Sequence, residues 1–96
     1  MATESRPLPG LIPFTVPGAT GYFRSPTERD LVQYRAFRRR TPGNSPAAGV
    51  TAFAWIVWRF VVTEDGGRVF ASADEVLDTL DLGTLRAIGN QILTVL

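Results

Sequence analysis

The residues whose types and spacing could do chemistry are Trp55 and Trp58, the cluster Arg35, Arg38, Arg39 and Arg40, and the turn Glu64-Asp65-Gly66-Gly67. Guanidinium groups pair well with phosphate, so the Arg cluster could touch a nucleic acid backbone. The same run at a helix C-terminus also simply complements the helix dipole. No stacking platform or DNA-reading motif accompanies it, and the formal net charge is only +1, so nucleic acid is not the expected partner. The acidic turn lacks the regularly spaced oxygen ligands of a Ca²⁺ loop and reads as a tight turn. Tryptophan is enriched in binding hot spots, which makes Trp55 and Trp58 candidates for a protein interface. Plain core packing is the competing reading of both rings.

The chain has no Cys and no His. Their absence removes thiol nucleophiles, disulfides, thiolate zinc sites and imidazole acid–base work. The acidic residues stand mostly at helix starts and turns, so no catalytic group, metal site or cofactor is expected.

A length of 96 residues allows one domain, near the lower end of what supports an independent core. All ten basic residues are Arg. Residues 1–59 carry eight Arg against three acids, and residues 60–96 carry two Arg against six acids. Such halves can attract within one chain or between copies. No apolar stretch follows a basic start, and the apolar run Ala47–Trp58 falls well short of the ~20 residues that span a bilayer. A soluble intracellular protein without a membrane partner is therefore expected.

These side chains need elements to position them. Residues 1–10, with Pro7, Pro9 and Gly10, read as a flexible tail, leaving 11–96 as the domain. Leu11–Val16 and Thr20–Arg24 are β-prone and flank Pro17-Gly18-Ala19, which is strong turn chemistry. A hairpin there would put Pro13 on an edge. Ser25-Pro26-Thr27-Glu28 reads as a capping box opening a helix to about Arg40. Leu31, Tyr34 and Phe37 form its narrow apolar stripe. The 41–46 segment is a loop rich in Pro and Gly.

A second helix is expected from about Pro46 to Val62, capped by Ser45 and apolar almost all round. A strand over Trp55–Val62 with a hairpin at Glu64–Gly67 competes, since β-branched and aromatic residues crowd there. The Ala-rich start favours helix. Ser72-x-x-Glu75 is a further capping box, for a helix to about Thr79. Asp81 can cap a last helix with Leu82, Leu85, Ile88, Ile92, Leu93 and Leu96 at helical spacing. Gly89 inside that pattern points to a close helix contact. The expected fold is mainly α, a single small domain of three to four helices, with a short N-terminal β-hairpin as an optional addition.

The order of parts in the second half resembles a known family. Trp58-Arg59-Phe60-Val61-Val62-Thr63-Glu64-Asp65-Gly66-Gly67-Arg68-Val69-Phe70, then Ala73-Asp74-Glu75-Val76, then Leu82–Leu96, is similar to the tail assembly chaperones of tailed bacteriophages. The resemblance covers roughly residues 46–96. It implies a non-enzymatic role in the host cell cytoplasm. Copies would coat the tape-measure protein, keep its helices soluble and hand over to the tail-tube protein. Phe53, Trp55, Trp58, Leu85, Ile88 and Ile92 are the expected protein-binding residues. A minor tail or head–tail connector protein of the virion is the alternative, and a small nucleic-acid-binding regulator a further one. Self-association into a homo-oligomer is also expected, because the second helix is apolar all round in a small domain.

Overall fold

A computed structural model describes residues 10–40 and 46–96. Its elements are β1 (Leu11–Val16), β2 (Ala19–Arg24), α1 (Glu28–Arg40), α2 (Pro46–Phe60), β3 (Val61–Val62), α3 (Ala73–Thr79) and α4 (Leu82–Leu93). The domain is mixed α/β rather than mainly α, because a three-stranded antiparallel sheet in the order β1-β2-β3 accompanies the four helices. The expected tail over 1–10 lies outside the described residues except for Gly10, as does the expected 41–46 loop except for Pro46, and the expected Ser45 cap lies outside them too.

The hairpin forms as its turn chemistry requires. Gly18 takes φ 92°, a left-handed conformation that costs glycine nothing, and Val16 faces Ala19 across Pro17-Gly18. Pro13 sits on β1, the edge strand, where its missing N–H is tolerated. Alternation along β1 puts Phe14 and Val16 inside and Pro13 and Thr15 outside.

Two boundaries differ from those expected. The first helix starts at Glu28, and Thr27 takes the capping role assigned to Ser25. Thr27 Oγ1 accepts from the Asp30 amide at 3.3 Å, and Asp30 accepts from the Thr27 amide at 2.8 Å. Thr27-x-x-Asp30 is thus the working capping box, with Asp in the place of the usual Glu. The second helix stops at Phe60 rather than Val62. Val61 and Val62 pair with Phe23 and Tyr22 of β2, and Val62 bridges to Arg68 across the Thr63–Gly67 turn. Both competing readings of this stretch therefore hold in part. The β-branched pair extends because β2 offers it a ladder, whereas the Ala-rich start remains helical.

The last two helices begin where expected. Ser72 accepts from the Glu75 amide at 3.1 Å, and Asp81 accepts from the Thr84 amide at 3.3 Å. The Glu75 carboxylate closes its box one residue early, accepting from the Ala71 amide at 2.8 Å.

Helix α2 is the centre of the domain. Ile56, Val57 and Phe60 are fully buried, and α3 and α4 pack closely against it. Phe23 from the sheet, Val76 from α3, and Leu85, Ile88 and Ile92 from α4 complete the core. Burying each such side chain is worth roughly 1.5–3 kcal/mol. Gly89 lets α4 approach α2, because a Cβ there would lie 2.3 Å from Phe53 Cδ1. The close contact expected from the sequence is this one.

Candidate functional site

Helix α1 is attached differently from every other helix. Asp30 is its buried side chain, while Leu31, Tyr34 and Phe37 are only half-buried and Val32 is 64% exposed. Among the described residues extensive backbone packing joins α2 to α3 and α4, whereas α1 shares no such extensive packing with another element. Two sets of side-chain contacts hold it.

The first set converges on Asp30. Arg24, at the end of β2, donates to both carboxylate oxygens, from Nη1 at 2.6 Å and Nη2 at 2.8 Å. Arg59, near the end of α2, donates from Nε to Oδ1 at 3.2 Å. The Thr27 amide and hydroxyl supply two further donors. Bidentate Arg–carboxylate geometry gives strength and direction together. The Arg24 hydrogen bonds hold the Asp30 carboxyl well below the usual carboxylate range, outweighing the burial that would raise it, and Thr27 adds to the lowering. Arg59 also donates from Nη2 to Gln33 Oε1, which ties a second point of α1 to α2.

The second set is aromatic. Phe37 stacks on Trp55 at 5.2 Å and 17°, and Tyr34 meets the same ring at 5.9 Å. Trp55 also meets Trp58 and Phe60 edge-on. Three guanidinium groups cover ring faces nearby: Arg24 over Phe60, Arg59 over Trp55 and Arg68 over Trp58, at 4.7, 5.4 and 5.0 Å. Trp58 Nε1 is shielded from solvent and has no acceptor among the described residues.

Between these contacts an open groove of about 560 Å³ runs along α1 and α2. Ala36, Trp55 and Trp58 give it an apolar floor, and Arg39, Arg40 and Arg59 a cationic rim. No acidic residue lines it among the described residues. Among the described residues no group of three or more acidic side chains could hold a metal ion, and no helix is long and apolar enough to cross a membrane.

The six residues expected at a protein-binding surface do not share one. Leu85, Ile88 and Ile92 are core residues, at most 2% exposed, because α4 turns that face onto α2. None of the three presents a contact surface in this fold. Phe53 is half-buried across Gly89 on the α4 side of α2. Trp55 and Trp58 alone of the six line the groove.

The sequence pattern does not single out Arg24, Thr27, Asp30, Gln33 or Arg59 as members of one site. The Thr27-x-x-Asp30 spacing carried the signal for two of them. It overlaps Ser25-x-x-Glu28, and local pattern cannot choose between overlapping boxes. Arg24 and Arg59 join only through the tertiary fold.

No family model matches the chain, and no curated protein or solved structure is significantly similar to it.

Proposed function

We propose that this chain is a non-enzymatic tail assembly chaperone of a tailed bacteriophage, acting in the host cytoplasm on the tape-measure protein before the tail-tube protein encloses it. The observation that carries the reading is the α1/α2 groove, an open surface with a tryptophan floor and an arginine rim on a helix held largely by side-chain clamps. A chaperone must cover an apolar helix and later release it. A small apolar floor suits that need, since association is driven at roughly 25 cal/mol per Å² of buried apolar area and opposed by lost motional freedom. Recognition would be of the helix-in-groove kind.

The ring faces disfavour the nucleic-acid alternative. Trp55 is stacked by Phe37 and approached by Arg59, and Trp58 is covered by Arg68. Base stacking needs such faces open.

Mass spectrometry of purified phage particles separates the chaperone from a minor tail or connector protein. A chaperone is abundant in infected cells and absent from finished virions. Stoichiometric retention in the particle would overturn the reading in favour of a structural component.

A further inference from the structure

The groove is specific about charge as well as shape. Its two walls are helices, and Gln33, Ala36 and Arg40 follow one another on α1 at helical spacing, as Trp55 and Trp58 do on α2. Arg39 and Arg40 are exposed at its rim. The single carboxylate of Asp30 is shared by Arg24 and Arg59, so the clamp keeps a net positive charge, and no acidic residue lines the groove beside Arg39 and Arg40 among the described residues. Arg59 is fixed by Asp30 on one side and Gln33 on the other, which orients its guanidinium before any partner arrives. Ala36 leaves a gap on the exposed side of α1 where a longer side chain would fill the floor.

We propose that this groove takes an acidic, leucine-bearing helix of a partner protein. Apolar side chains of that helix would lie on Ala36 and the edges of Trp55 and Trp58, and its flanking carboxylates would meet Arg39, Arg40 and Arg59. This names the chemistry of the client segment and rests on the protein-binding reading above. Charge complementarity selects the occupant. A basic helix would set like charges against the whole rim, and a nucleobase finds the ring faces already covered.

The test uses the full chain and a labelled synthetic helix with Leu on one face and Glu on both flanks, followed by fluorescence anisotropy. A second peptide carries Lys in place of every Glu, and a single-stranded oligonucleotide serves as a third probe. The Glu peptide binds and the other two do not. The double variant Arg39→Glu, Arg40→Glu weakens Glu-peptide binding by about tenfold or more, since two exposed attractions become repulsions. Ala36→Trp blocks the floor and abolishes binding, while circular dichroism verifies that the helices persist. Equal binding of the Lys peptide, undiminished binding by Ala36→Trp, preference for the oligonucleotide, or no binding of the Glu peptide would each overturn the proposal. So would oligomerisation through the acidic α3 face of a second copy that excludes the Glu peptide. A client complex that forms equally well with the double variant would sink the acidic-helix proposal and leave the chaperone reading standing. Failure of any client complex to form would sink the chaperone reading itself.

Discussion

Arg59 donates from Nε to Asp30 Oδ1 at 3.2 Å and so joins the last turn of α2 to the first turn of α1. With Arg24 on the same carboxylate, three elements meet at one buried charge. The placement of α1, and with it one wall of the groove, depends on that charge.

Asp30→Asn is therefore expected to cost about 2–4 kcal/mol, towards the lower side of the range for breaking a buried pair because Arg24 is partly exposed. Chemical denaturation measures it. A loss below half of this would mean that the aromatic stack alone seats α1.

The same network predicts a pH dependence. The Asp30 carboxyl titrates below its ordinary value in the folded chain. Its contribution is thus fully present above the unfolded value of about 4 and is lost as pH falls from there towards the lowered native value. Stability of the natural chain and of Asp30→Asn should converge through that acid window. Asp65 and Asp81 are also lowered, by hydrogen bonds from Thr63 and Thr84 respectively, so the difference between the two proteins isolates Asp30. A constant gap across the window would contradict the assignment.

Gly89→Ala sets two effects against each other. Helix propensity favours Ala by about 1 kcal/mol, but the new Cβ would lie 2.3 Å from Phe53 Cδ1 and 3.0 Å from Cγ. Both atoms lie close to the Phe53 backbone, so the ring cannot simply swing its far end aside. Overpacking of this kind costs typically 1–3 kcal/mol, and the variant should be less stable. In a Phe53→Leu background the sign should reverse or the loss shrink. Additive effects of the two substitutions would show that the contact is not limiting.

Gly18→Ala should cost about 1–2 kcal/mol, because φ 92° is disfavoured for any residue with a Cβ and Thr84 Oγ1 would lie 3.1 Å from it. Thermal unfolding provides the measurement. An unchanged melting temperature would mean that the turn relaxes freely.

Trp58→Phe removes an indole N–H that is shielded and without an acceptor among the described residues, a burden of about 1–3 kcal/mol in the folded state. The relief offsets the smaller ring, so stability should stay within about 1 kcal/mol of the natural chain. A loss of several kcal/mol would show that the N–H finds an acceptor in solution.

Much of the fold was legible because local rules act within a few residues. Pro17-Gly18, Ser72-x-x-Glu75 and Asp81 each specify a turn or cap through their own backbone, and each stands where the pattern put it. Gly89 announced a close approach without naming Phe53. The sheet was underestimated because Val61 and Val62 become a strand only when β2 lies beside them, and no window of sequence contains that partner. The groove was half legible. Trp55 and Trp58 drew notice by type, but the clamp that builds the opposite wall joins residues 24, 30 and 59, and its ion pairs are invisible to periodicity. Leu85, Ile88 and Ile92 follow the same spacing whether they face a core or a client, so pattern alone could not separate the two.

The proposed role, holding a long helical client in soluble form, is tested most directly by co-expression. The client to test is the product of a very long helical reading frame, sought beside the gene for this chain, and it would be produced with and without this chain and analysed by size exclusion with light scattering. The client should be insoluble alone and elute as a defined complex when this chain is present. A client that is equally soluble alone, or a chain that elutes apart from it at every ratio, would contradict the account.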